Sequence, residues 1–176
     1  MEYGKTTLIQ ESSRPHMGIR EVLDTSALIS WPIESLEGGL IVEGQLKELG
    51  RVAPERLIIV DTAGLVCVQP MERYIRNASE ISRKTGDILG LSETDLALLA
   101  VTMQYEGHLH TDDYRLQNLC SEAGLHWSPV MTKGISESWI WEVRCPVCGL
   151  VVETSKRTKP ASESIGNCVD LSLIHI

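Results

Sequence analysis

Three times along this chain an aspartate with hydroxyl neighbours opens an apolar helical stretch. The segments are V-L-D-T-S-A-L-I around Asp24, L-S-E-T-D-L-A-L-L-A around Asp95, and H-L-H-T-D-D-Y-R-L-Q-N around Asp112 and Asp113. Before the first and third lies an apolar run of strand length; the second follows a turn. Short apolar strands that alternate with helices are joined by crossovers, which makes a parallel sheet covered by helices, an α/β/α sandwich. In such sheets the crevice at the carboxyl ends of the strands holds the ligand.

The alternation can be followed from residue 19 to residue 132. Ile19 to Leu23 reads as a strand, and Asp24-Thr25-Ser26 caps the helix after it. Leu40 to Val42 is a second strand, followed by a helix over Gln45 to Leu49 that Gly50 is expected to end. Pro54 opens a helix to about Ala63, and Gly64 separates it from a strand over Leu65 to Gln69. A polar helix spans 71 to 85, and Ser92 to Glu106 is the clearest helix, with Gly107 closing it. His108 to Thr111 is a strand, Asp112 to Ala123 a helix with Thr111 as its expected cap, and Leu125 to Val130 the last strand. Cys67 and Cys120 fall on apolar faces and read as core residues.

Each acid has a modest role available as a helix cap or a favourable charge in a first turn. Together they say more, because a parallel sheet brings the starts of its helices to one edge. Carboxylates gathered there repel one another unless a cation sits among them, and hard oxygen ligands suit Mg²⁺ or Mn²⁺. A further acid is expected from the second strand-helix unit, where Glu43 and Glu48 are both available. Asp61, in V-D-T, falls too late in its helix to join them.

Net charge is -8, and residues 1 to 140 carry all of it, with twelve basic and twenty acidic residues. Such a domain is a poor generic binder of phosphate backbones, so any nucleic-acid contact must be local. Arg73, Arg76, Arg83 and Lys84 on the polar helix are candidates, as are Arg144, Lys156, Arg157 and Lys159, with Trp139 and Trp141 available for stacking on bases. No apolar run approaches the roughly 18 residues that cross a bilayer, which points to a cytoplasmic protein without a membrane partner.

After about Lys133 the texture changes. Trp139 to Arg144, C-P-V-C-G and Leu150 to Glu153 read as strand, knuckle, strand. Cys145 and Cys148 have the spacing of half a zinc ribbon, and Cys168 supplies a third thiolate after 19 intervening residues. Position 171 is leucine where a fourth ligand is expected, and His175 lies beyond ordinary ligand spacing, so the sequence leaves the fourth ligand of a structural Zn²⁺ unidentified. The expected organisation is a leader or cloning remnant over 1 to 18, an α/β domain over 19 to 132, and a zinc-ribbon-like segment with tail over 133 to 176.

V-L-D-T-S-A-L-I, K-T-G-D-x-L-x-L-S-E-T-D-L-A-L-L-A and T-D-D-Y-R-L-Q-N together resemble the PIN-domain ribonucleases. More closely, they resemble the archaeal Nin-one-binding endonucleases, which mature the 3′ end of small-subunit ribosomal RNA. The resemblance covers about Val22 to Gly149, including the order of PIN domain and zinc ribbon. It implies that Asp24, Asp95 and either Asp112 or Asp113 bind one or two Mg²⁺ or Mn²⁺ ions. The T-x-D motif of PIN domains favours Asp113, while the doubled acid keeps Asp112 open. The family glutamate precedes the leucine that closes its motif, which selects Glu48 over Glu43, and Asn118 is expected to orient the site. The implied partners are precursor small-subunit ribosomal RNA and the assembling subunit, with water attacking a phosphodiester to leave a 5′-phosphate and a 3′-hydroxyl. A toxin-antitoxin type PIN ribonuclease and a non-catalytic RNA-binding assembly factor are the alternatives.

Overall fold

The computed structural model describes residues 19 to 137, the strands at 141 to 144, 151 to 152 and 172 to 175, and Cys148. The expected leader over 1 to 18 lies outside the described residues, as do Cys145, Cys168, Trp139, Lys156, Arg157 and Lys159.

The chain opens with strand β1 (Glu21–Leu23) and helix α1 (Thr25–Ser30), then β2 (Leu40–Ile41), α2 (Glu43–Val52), α3 (Pro54–Asp61) and β3 (Val66–Cys67). Helices α4 (Glu72–Thr85) and α5 (Glu93–Tyr105) follow, joined by a short 3-10 turn at Asp87–Gly90. Strand β4 (His108–His110), helix α6 (Tyr114–Glu122) and strand β5 (His126–Ser128) complete the parallel sheet. Its order is β3-β2-β1-β4-β5, with Val22 beside Leu40 and Leu109, and Leu109 beside Trp127. Among the described residues no helix is long and apolar enough to cross a membrane.

Successive strand residues point to opposite faces, so these short strands feed two cores. Val22, Leu40 and Leu109 pack with Leu98, Leu99, Leu116 and Leu119 on the side of α4, α5 and α6. Leu23 and Ile41 pack with Ala27, Leu28, Leu49 and Val60 on the side of α1, α2 and α3. Burial on both faces explains why the strands read as continuous apolar runs rather than alternating ones.

Two helix ends differ from expectation. Gly50 does not end α2, because Ala53 still donates its N–H to the Leu49 carbonyl; Pro54 ends the helix by pushing Ala53 out of helical geometry. At the end of α5 the left-handed residue is Glu106, with φ of 49°, rather than Gly107. Gly107 serves a close approach instead: a Cβ there would stand 2.8 Å from the Arg20 carbonyl oxygen.

A second sheet is antiparallel, with β6 (Trp141–Arg144) between β7 (Val151–Val152) and β8 (Ser172–His175). The two strands of the strand-knuckle-strand reading fall on β6 and β7, and the knuckle between them lies, Cys148 apart, outside the described residues. The expected zinc set cannot be placed as a whole, since two of its three thiolates lie outside the described residues; Cys148 is exposed.

Candidate active site

The strand order reverses between β1 and β4, and a doubly wound sheet opens a crevice at that reversal, beyond the carboxyl ends of the two strands. Asp24 is the first residue after β1, and Thr111, Asp112 and Asp113 are the first three after β4. The Asp24 N–H donates to the His110 carbonyl at 3.0 Å, which locks the two exits side by side.

Asp24 caps α1, as the sequence suggests, and Oδ1 accepts the Thr25 N–H at 2.6 Å. Its Oδ2 accepts the Thr111 hydroxyl at 2.6 Å and the Ser26 hydroxyl at 3.3 Å. The buried Thr111 oxygen also accepts the Asp113 N–H at 3.0 Å. One hydroxyl therefore joins two of the predicted acids. The expectation that Thr111 caps α6 is corrected: Asp113 is the cap, accepting the Arg115 N–H at 2.8 Å.

Asp95 closes a capping box with Ser92, accepting the Ser92 N–H at 2.8 Å while its own N–H donates to the Ser92 hydroxyl at 3.1 Å. This structural role coexists with proximity to the other acids. Burial pushes the Asp24 carboxyl up to about 6, against the Thr111 and Thr25 hydrogen bonds, and the charges of Asp95 and Asp113 push the same way. Burial also raises Asp113, with Asp95 adding to the shift and the Arg115 N–H and guanidinium opposing it. Three carboxylates thus lie within electrostatic reach of one another.

Glu48 joins through the Thr25 hydroxyl, which donates to its Oε2 at 3.2 Å. Glu43 instead pairs with Lys47 at 3.0 Å on the solvent side of α2. Gln45 fixes that helix against β1: its Nε2 donates to the Leu23 carbonyl at 2.7 Å, and its Oε1 accepts the Val42 N–H at 2.9 Å. Gly44 permits α2 to meet the start of α5, since a Cβ there would stand 2.4 Å from the Thr94 hydroxyl oxygen.

The doubled acid separates into two functions. Asp113 faces the cluster, whereas the Asp112 carboxylate is turned to the loop after β5, where it accepts the N–H groups of Val130, Met131 and Thr132. Of the two acids the resemblance left open as ligands, Asp112 is thus the one whose Oδ1 the loop engages, while Asp113 is the one coupled to Asp95. Asn118, expected to orient the site, donates its Nδ2 at 2.8 Å to Asp87, a fully buried carboxylate in the turn before α5. Arg115 lies 4.0 Å from the same carboxylate. Asp87 was not singled out from sequence, although the K-T-G-D segment contains it.

The expected basic face of α4 is partly neutralised, with Arg76 beside Glu72 and Lys84 beside Glu80 in exposed pairs. Arg73 lies over the Tyr74 ring at 4.9 Å. Cys120 is a core residue as expected, and burial raises its thiol to about 12; Cys67 is half-buried.

Residues 22 to 105 match the family described as the PIN domain of ribonuclease. Ribonuclease VapC1 of Thermoplasma acidophilum is 35% identical over 136 residues, which is 75% of this chain and 69% of the relative. The chain belongs to the PIN-domain ribonucleases. Endoribonuclease Nob1 of Pyrococcus abyssi is 30% identical over 132 residues, covering 74% of this chain and 80% of the relative. The enzyme of the same name from Methanocaldococcus jannaschii is 28% identical, and the match spans 65% of its length.

Among the described residues no three His, Cys, Asp or Glu groups stand close enough to chelate an ion as they are placed. The chemistry of the donor set nevertheless suits a hard divalent cation in this PIN domain. Asp24 is raised by burial and by two neighbouring carboxylates, and an added cation relieves both costs.

Proposed function

We propose that this chain is a metal-dependent endoribonuclease that hydrolyses a phosphodiester in precursor small-subunit ribosomal RNA. The observation that carries the metal-dependent chemistry is the Thr111 bridge between Asp24 and Asp113 at the β1–β4 crevice, where burial, with the charges of Asp95 and Asp113 adding to it, raises Asp24 to about 6. The RNA substrate is supported by the relatives named endoribonuclease Nob1.

Asp24, Asp95 and Asp113 would hold the Mg²⁺ or Mn²⁺, with Glu48 close enough to contribute directly or through water. The ion supplies a lowered water pKa and neutralisation of charge on the phosphate. The Thr111 hydroxyl donates to the Asp24 carboxylate and accepts the Asp113 backbone N–H, while the Asp113 carboxylate is oriented by the Arg115 N–H, so both acids are held before substrate arrives. Thr25 does the same for Asp24 through its N–H and for Glu48 through its hydroxyl.

Cleavage of a labelled transcript spanning the 3′ end of small-subunit rRNA tests this reading, with Mn²⁺ and with or without small subunits. Products with 5′-phosphate and 3′-hydroxyl ends, lost in Asp24→Asn, are expected; equal cleavage by Asp24→Asn contradicts the assignment. A second reading, a ribonuclease of the toxin-antitoxin kind, draws on the relative named VapC1. It predicts cleavage of other RNAs in preference to the rRNA junction.

A further inference from the structure

Asp112 stands next to a proposed metal ligand, yet its side chain is committed elsewhere. Oδ1 accepts the N–H groups of Val130 at 2.9 Å and of Met131 and Thr132 at 3.1 Å, together with the Thr132 hydroxyl at 2.9 Å. Oδ2 accepts the Met131 N–H as well, at 3.1 Å. Three successive backbone amides around one carboxylate form an anion nest, here filled by a residue of the same chain. Slight burial works against the charge, but the amides of Thr132, Met131 and Val130 and the Thr132 hydroxyl outweigh it and hold the carboxyl below its ordinary range.

The segment so held is the exit from the PIN domain. It is fixed a second time at Ile135, whose N–H donates at 2.9 Å to Oε1 of the buried Gln117. Gln117 Nε2 donates in turn to the Thr111 carbonyl at 2.9 Å. At Gly134, with φ of 72°, a Cβ would stand 2.9 Å from the Trp127 ring, so the backbone lies against that indole. On the other side the Asp112 N–H donates to the Ser26 hydroxyl at 3.4 Å, and Ser26 bonds Asp24. Residues 130 to 135 are therefore tied to the neighbours of Asp24 and Asp113 at both ends. Between the ties Met131 is 75% exposed, and Tyr114, directly after Asp113, is 45% exposed.

We propose that Asp112 is a positioning residue that clamps the exit strap, residues 130 to 135, against the catalytic edge and so shapes the surface an RNA strand meets on its way to Asp24 and Asp113. The clamp itself stands on the hydrogen bonds above; its effect on RNA rests on the function proposed in the preceding section. A carboxylate anchor suits the task because charge-assisted bonds to several amides fix a loop that has no ladder of its own. The exposed Met131 and Tyr114 then flank the acids on a fixed backbone, the kind of surface on which an unpaired base packs.

Lys133 places a tryptic site inside the strap, which makes the clamp measurable without any RNA. In the full chain, Asp112→Ala should raise the rate of cutting after Lys133 by about tenfold. Asp112→Asn, which keeps one acceptor oxygen, should fall between it and the wild type. Thr132→Val removes one of the clamp's donors from outside the acid cluster and should loosen the strap by a smaller factor. Calorimetric Mn²⁺ affinity should stay within about threefold in Asp112→Asn, where Asp113→Asn loses it by about a hundredfold. With the rRNA transcript, Asp112→Ala should raise KM more than it lowers kcat.

Two results overturn the proposal. One is unchanged cutting at Lys133 in Asp112→Ala, judged against a thermal melt showing that the variant is folded. The other is a fall in Mn²⁺ affinity in Asp112→Asn as large as in Asp113→Asn, which would make Asp112 a ligand. If the wild type cleaves no rRNA junction, the proposed substrate fails, while the clamp is still decided by the proteolysis.

Discussion

Asp24 and Asp87 are both withdrawn from water, and the fold treats their charges in opposite ways. Asp87 is fully buried, but an Asn118 amide donates to it and the Arg115 guanidinium lies beside it, so opposite charge is supplied within the chain. Asp24 has hydroxyl and amide donors from Thr111, Ser26 and Thr25, yet the nearby charges that act on it are the carboxylates of Asp95 and Asp113. A buried acid given a cation is a structural knot. A half-buried acid with other carboxylates near it is the one to which the proposed function assigns a cation from solution, and that contrast sets the candidate site apart from the Asp87 knot.

Substitution at the two acids should separate these roles most strongly. Asp24→Asn or Asp113→Asn should lower kcat by about a thousandfold or more while the fold is kept, as measured by single-turnover cleavage and circular dichroism. Asp87→Ala should do the reverse, costing about 3 kcal/mol of stability in chemical denaturation because Asn118 loses its acceptor and Arg115 its opposite charge. If Asp87→Ala keeps its stability and loses only metal affinity, the distinction collapses.

Proton linkage gives a sharper test. The Asp24 carboxyl titrates near 3.8 in an unfolded chain and near 6 in the fold. The folded state therefore holds the extra proton between those values, and the stability contributed by this group is complete below about pH 4 and lost as pH rises through about 6. The loss is at most about 3 kcal/mol. Without divalent cation, Asp24→Asn should gain thermal stability over the wild type between pH 4 and 7; a difference that does not change with pH would refute a carboxyl raised by burial and by its acidic neighbours. Added Mn²⁺ should restore the wild type at pH 7 and do so less below pH 6.

Smaller effects follow at the edges of the comparison. Thr111→Val should weaken Mn²⁺ binding by about tenfold, because the Asp24 carboxylate loses the hydroxyl that orients it and the Asp113 backbone N–H loses its acceptor. Glu43→Gln should change activity and stability by less than about 0.5 kcal/mol, since its partner Lys47 is an exposed neighbour one helical turn away.

The acids were legible in the sequence because each obeys a local rule. An aspartate before an apolar helical run is a cap whether or not it binds a metal, and a parallel sheet puts such caps on one edge. Glu48 was preferred over Glu43 through the family resemblance, and the Thr25 hydrogen bond gives that preference a geometric basis. The T-x-D motif favours Asp113, but what Asp112 does was not legible, because it depends on Val130 to Thr132, which the fold returns from far along the chain. Nor was the role of Asn118, whose partner Asp87 lies 31 residues away. Helix ends misled where a glycine suggested a stop: Pro54 and a left-handed Glu106 end α2 and α5 instead.

Calorimetric titration of Mn²⁺ into the wild-type chain and into Asp24→Asn/Asp95→Asn tests the central claim most directly. The account predicts saturable binding at pH 7 in the wild type, weakening as the pH approaches 5, and no binding at the crevice in the double variant. Equal binding by both proteins, or none by the wild type, would contradict it and leave these carboxylates as helix caps.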